Sequence, residues 1–175
     1  IVPLFEKTED GTHYNAAVVI DANGEILGTY RKTHLPNDPC YYERFYFSAG
    51  DLGFKVFDTK YAKIGVLICW DQWFPEAARR LALSGTEILF YPSAIGWISG
   101  ESKRARSEER SAWEMIQRSH AIANGIYVAG VNRIGREGKL TFWGGSFVSG
   151  PFGEIIARAG NTREEILIAE CDLSK

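Results

Sequence analysis

No apolar run in this sequence approaches the roughly 20 residues that cross a bilayer, so no membrane helix or membrane partner is expected. Cysteine is scarce. Cys40, Cys69 and Cys171 form no CxxC pair, and an odd number cannot complete a disulfide framework. A reducing, cytoplasmic compartment is the expectation. Three histidines and three cysteines show no metal-ligand spacing, so neither a metal nor another cofactor is expected. An excess of one charge is also missing: 20 Lys and Arg stand against 22 Asp and Glu. The cluster Lys103, Arg104 and Arg106 is offset by Glu101, Glu108 and Glu109, which reads as a solvated helix flank and not a nucleic-acid footprint. No linker, repeat or low-complexity tract interrupts the chain.

What is present is the composition of a soluble globular domain, 45% hydrophobic and 24% charged, long enough for one domain over residues 1–175 with a sizeable core. The first residues are Ile-Val-Pro, and the last, CDLSK, follow a strand-like run directly. Neither resembles a finished terminus, so the expectation is a fragment of a longer polypeptide.

Ala22-Asn23-Gly24 separates AAVVID (16–21) from EILGTYRK (25–32), a hairpin signal because Asn and Gly tolerate positive φ. Residues 34–53 read as a long loop whose five aromatics argue against disorder. Strands are expected at 54–57 and 63–69. A helix opens at Pro75 with Glu76 near its positive end, and Gly85 stops it. A strand at 87–92, a helix near 107–124, a strand at 126–132, short strands at 146–149 and 154–158, and a last strand at 165–171 follow. Strands that alternate with helices suit an α/β (α+β) mixed sheet with helices outside it, and two facing sheets account for the strand count.

The stretch GVLICWDQWFPE (65–76) ends an apolar run on a thiol. One reading of Cys69 is an ordinary core residue, since free cysteine behaves as a small hydrophobe. The other is a nucleophile at the rim of a sheet, where a strand–turn–helix connection presents reactive groups. A thiol nucleophile needs a proton acceptor and a positive charge or amides for the oxyanion it creates. Lys32 could supply that charge, or it could be a solvated strand-end lysine. His34 could be a base, or could order the loop through backbone hydrogen bonds; the second reading ranks first.

YRKTHLP (30–36), YYERFYFSAGD (41–51), GVLICWDQWFPEAAR (65–79) and WGGSFVSGPFGEIIARA (143–159) together resemble the nitrilase superfamily of carbon–nitrogen hydrolases. The resemblance implies a nitrilase-like α-β-β-α sandwich, here a partial domain lacking N-terminal strands and a C-terminal tail. It implies Cys69 as nucleophile, Lys32 as the residue that stabilises the tetrahedral intermediate, and Glu43 as a glutamate supporting the lysine. The Trp70 amide would complete the oxyanion site. The family's general-base glutamate belongs on an earlier strand upstream of Ile1, and neither Glu6 nor Glu9 is assigned to it.

Within the superfamily, CWDQWFPE, YYERFYF and YPSAIGW most resemble the branch that hydrolyses N-carbamoylputrescine. An aromatic channel suits a four-carbon stem with a cationic end. That ammonium is expected to meet Glu101 or Asp71, with π-faces from Trp97 or Tyr42; the alternative for Asp71 is that it orders the turn behind Cys69. WDQW offers no cation for a substrate carboxylate. Alternatives are another linear carbamoyl or amide substrate, or a non-catalytic nitrilase-like binding domain. The resemblance also implies a homo-oligomer formed through outer helices, with the helix near 107–124 carrying Trp113, Met115, Ile116 and Ile122.

Overall fold

The computed structural model describes residues 1–174. Three antiparallel strands form the first sheet: β1 (Val2–Lys7), β2 (His13–Ile20) and β3 (Ile26–Arg31). The expected Asn-Gly turn joins β2 to β3. Gly24 has φ +86°, and the Asp21 amide donates to the Glu25 carbonyl at 2.9 Å. A short helix, α1 (Glu43–Tyr46), interrupts the region read as a long loop.

A six-stranded mixed sheet carries the site. It is built from β4 (Val56–Asp58), β5 (Lys63–Val66) and, after α2 (Pro75–Leu83), β6 (Ile88–Ser93). Next come β7 (Gly96–Ile98), α3 (Lys103–Asn124), β8 (Tyr127–Asn132), β9 (Ile134–Glu137) and β10 (Leu140–Trp143). The chain closes with β11 (Phe147–Ser149) and β12 (Ile155–Arg158). The order in the large sheet is β12-β11-β8-β6-β5-β4, with β5, β6 and β8 parallel. β7, β10 and β9 form a separate small sheet.

Period-two alternation sorts the central strands between two layers. Gly65 and Tyr91 face the helices: a Cβ on Gly65 would meet Leu81 of α2, and Tyr91 stacks on His120 of α3. Ile64, Phe90 and Val131 face the other way and line a gap with Val19 and Ile20 of β2. One hydrophobic cluster therefore runs from Ala17 and Tyr30 through Val66 and Leu89 to Ala78, Leu81 and Ala121. This is the helix–sheet–sheet part of the expected sandwich.

Both long helices end where local chemistry dictates. Pro75 occupies the first position of α2, which buries Ala77, Ala78 and Leu81. α3 begins four residues before the expected start because the Ser102 side chain accepts from the Ala105 amide, and Gly125 closes the helix in the left-handed conformation.

Two expectations need correction. The strand expected at 63–69 stops at Val66, although the Leu67 amide still donates to the Phe90 carbonyl. Residues 165–171 form no strand. Ile166 and Ile168 are 91% and 86% exposed, and the segment has no ladder partner among the described residues. Strand-forming residues need a neighbouring ladder, so sequence preference alone does not make a strand. β1 and the small β7-β10-β9 sheet were not anticipated. The strands of the small sheet are only three or four residues long, too short for a clear period.

Candidate active site

Cys69 opens a 3-10 helix, Cys69–Trp73, placed directly after the parallel strand β5 and before α2. Its φ is +46°, and only Cys40 shares a positive value among the described non-glycine residues. Residues with a Cβ rarely enter this region, and such outliers gather at functional sites. Burial pushes the Cys69 thiol up; the Lys32 charge is the chief opposing influence, and the Ala94 amide adds to it.

Lys32 follows β3 and is almost fully buried. Its backbone is fixed on both sides, its amide donating to Asn15 O and its carbonyl accepting from the Gly50 amide, each at 2.8 Å. Nζ donates to both oxygens of Glu43, at 2.8 and 2.7 Å. Asn15 Nδ2 steadies the same carboxylate at 3.2 Å. A buried ammonium is tolerable only with such a partner. The structure thus brings Lys32, Glu43 and Cys69 to one place. Glu43 and Cys69 line a cleft of about 430 Å³ with Asn15, Ala94, Asn132 and Arg133.

A second cavity, about 330 Å³, is walled by Tyr41, Trp70, Trp73 and Trp143 and carries three acids, Asp38, Glu101 and Glu109. Tyr41 ties its walls together. The Gly96 amide donates to the phenol oxygen at 2.9 Å, and that hydroxyl donates to the Gly96 carbonyl at 3.1 Å. Burial pushes the Tyr41 phenol up to about 12, with Cys69, Cys40 and Glu101 adding to the shift. This links the slot electrostatically to the thiol. Glu109 sits above the ordinary carboxylate range, first through desolvation and then through the Glu101 charge. Asn132 clamps the connecting loop, accepting from the Ile95 amide and donating to the carbonyls of Ile95 and Gly144.

The expected substrate contacts divide sharply. Trp70 and Glu101 line the slot, although one Glu101 oxygen already accepts from the Ile98 amide at 2.9 Å. Trp97 lies behind the wall: its ring packs on Trp143 with centroids 5.4 Å apart, and Nε1 donates to Arg106 O. Tyr42 precedes α1, more than half exposed, and lines neither cavity. Asp71 must be corrected. It is wholly buried and accepts from Tyr30 Oη, the Ile68 amide, the His34 amide and His34 Nδ1. A carboxylate has about four lone-pair positions, so none remains for a substrate ammonium. His34 is accordingly a loop-ordering residue, its ring also stacked on Phe74 at 3.7 Å.

Sequence reasoning missed Asn15, Asn132, Tyr41, Trp73, Trp143 and Glu109. Tyr41 and Trp73 lay inside motifs already singled out, but only the fold could turn them toward one slot. No group of three or more potential metal ligands exists among the described residues.

The sequence model described as carbon-nitrogen hydrolase matches residues 1–175. The chain belongs to the carbon-nitrogen hydrolase family. This carbon-nitrogen hydrolase chain is 49% identical over 184 residues to an N-carbamoylputrescine amidase of Solanum tuberosum, covering 100% of this chain and 60% of the relative. It is 44% identical to a citrullinase of Francisella tularensis, covering 98% of this chain and 60% of that protein. The crystal structure of a carbon-nitrogen hydrolase from Helicobacter pylori G27 superposes with a TM-score of 0.95 at 50% identity, over 98% of this chain and 61% of that one. The chain therefore spans about 60% of the length of these curated relatives. No helix among the described residues is long and apolar enough to cross a membrane.

Proposed function

We propose that this chain carries the nucleophile half of a thiol-dependent hydrolase of non-peptide carbon–nitrogen bonds, acting on a linear carbamoyl amine, with N-carbamoylputrescine the best fit. The observation that carries this reading is the convergence of Cys69, Lys32 and Glu43 beside an aromatic slot rimmed by acids. In the proposed reaction the Cys69 thiolate attacks the ureido carbon, and the carbonyl oxygen takes the negative charge. The Lys32 ammonium stabilises that charge, and Glu43 keeps Lys32 aimed through its two hydrogen bonds. One carbon–nitrogen bond then breaks, its nitrogen leaving with a proton. Water cleaves the resulting carbon–sulfur bond, and the net reaction converts carbamoyl amine and water into amine, carbon dioxide and ammonia. The resemblance assigns to a further glutamate the proton that leaves the Cys69 thiol and reaches the departing nitrogen; Glu6 on β1 instead accepts from Arg31 Nε at 2.8 Å.

The slot supports the substrate class. Its aromatic walls suit an alkyl stem, while Asp38, Glu101 and Glu109 suit a terminal ammonium. A ureido amino acid, as in the citrullinase relative, is the second reading, favoured by Arg133 in the Cys69 cleft. Arg133 is already paired with Glu137 at 2.6 Å and lies over Phe142, which leaves it a weak carboxylate receptor. The three cysteines are free, which supports a reducing, cytoplasmic setting. Exposed Met115, Ile122 and Phe152 support association into a homo-oligomer.

The test is covalent. The full-length protein incubated with N-carbamoylputrescine should release ammonia and putrescine, and mass spectrometry with a slow substrate should show an adduct at Cys69 alone. Cys69→Ala should abolish turnover in a folded protein. Turnover that survives the substitution, or an adduct confined to Cys40 or Cys171, would sink the reading.

A further inference from the structure

We infer that Asp71 is a positioning residue that bolts the nucleophile turn to the lysine segment and so fixes the separation of Cys69 from Lys32; this rests on the thiol chemistry proposed above. One carboxylate reaches three separate places. Its Oδ2 accepts from the Tyr30 hydroxyl at 2.7 Å and the Ile68 amide at 2.9 Å. Its Oδ1 accepts from the His34 amide at 2.9 Å and from the His34 ring at 2.7 Å. Tyr30 and His34 lie two residues either side of Lys32, and Ile68 immediately precedes Cys69. Asp71 therefore grips the chain on both sides of the ammonium and at the entrance to the thiol. At the other end of the 3-10 helix the His34 ring lies flat on Phe74, 3.7 Å away and inclined by 6°, so the same segment is held twice.

The chemistry of this grip demands a carboxylate. All four contacts come from donors, and the group is 0% exposed, so no water can replace a lost acceptor. An amide would present N–H groups to donors and break part of the set. The 30–34 segment would then be free to drift from residues 68–69, and a misplacement of about 1 Å in catalytic geometry can lower rates by about a hundredfold. Asp71 does not line the substrate cavities, so its loss should fall on kcat and leave KM nearly unchanged.

Charge and position make opposite predictions for the thiol. The titratable and charged groups that act on or beside Cys69 are Lys32, Glu43, Asp71 and Tyr41, with Arg133 in the same cleft. The Asp71 charge itself raises the thiol, while Lys32 lowers it. Removing only the charge would lower the pH at which Cys69 reacts; letting Lys32 drift away would raise it.

The experiment measures iodoacetamide alkylation of the Cys69 peptide against pH, together with kcat and KM on N-carbamoylputrescine, for full-length Asp71→Asn and Tyr30→Phe. Folding is checked by circular dichroism. Asp71→Asn should lose about a hundredfold in kcat with KM within a few-fold, and its alkylation midpoint should move to higher pH. Tyr30→Phe keeps the charge and loses one donor, so it should shift both readouts the same way by a few-fold. It decides the matter if Asp71→Asn does not fold. A midpoint that falls or stays put in folded Asp71→Asn, or unchanged readouts in Tyr30→Phe, overturns the inference. Alkylation does not require turnover, so a failure of the thiol mechanism, seen as activity in Cys69→Ala, is read separately.

Discussion

Lys32 Nζ stands 2.8 and 2.7 Å from the two oxygens of Glu43, and the lysine side chain is fully enclosed while the glutamate remains 20% exposed. The asymmetry matters for mutagenesis. Removing the lysine leaves a carboxylate that water can still reach, whereas removing the glutamate would leave an enclosed ammonium with no counter-charge.

Lys32→Met is therefore the cleaner probe. It should fold, and it should lower the single-turnover rate by at least about a hundredfold, as expected for loss of an oxyanion donor. Lys32 also pulls the Cys69 thiol down against burial. Without it the thiol should titrate higher, and Cys69 alkylation should shift to more alkaline pH. Wild-type single-turnover rates in the variant would remove Lys32 from the chemistry.

The slot gives a prediction about selectivity. N-Butylurea matches N-carbamoylputrescine without the terminal ammonium. With Glu101 and Glu109 facing one cavity, the charged substrate should be preferred in kcat/KM, and Glu101→Gln or Glu109→Gln should each shrink that preference about tenfold, the scale of one charge-assisted hydrogen bond. Equal efficiency on both ureas would show that the acids serve only to solvate the rim. A clear preference for a ureido acid would instead favour the Arg133 reading.

Association is the third expectation. Met115 and Ile122 of α3 are 63% and 58% exposed, and Phe152 is 89% exposed in a groove shared with Ile122 and Ile156. Apolar groups gathered this way favour burial against a second copy. Sedimentation of the full-length protein at micromolar concentration should give an oligomer, and Ile122→Arg should weaken it. A wild-type monomer under those conditions would count decisively against pairing.

The sequence made the skeleton legible where chemistry is local. Pro75, the Asn23-Gly24 turn and the Gly85 stop each act through a backbone preference that no distant contact overrides. The grouping of Cys69, Lys32 and Glu43 was legible through motif resemblance. Asp71 was not, because a carboxylate two residues from Cys69 looks the same in sequence whether it faces substrate or is surrounded by donors. The residues that donate to it are up to 41 positions away. Trp97 and Trp143 show the same limit: both are aromatic and near one another, yet only Trp143 forms the slot wall.

The left-handed backbone at Cys69 has a consequence for how the site can vary. Holding a Cβ at φ +46° costs about 1–2 kcal/mol, and alanine, serine and cysteine share nearly the same burden. The penalty belongs to the position, so an alanine there is a fair silent partner for the thiol: any difference between them is chemistry, not relief. Glycine would let the turn rest without steric cost, and glycine has no sulfur. Replacing Cys69 by glycine would release the strain in this corner of the chain and remove its thiol together.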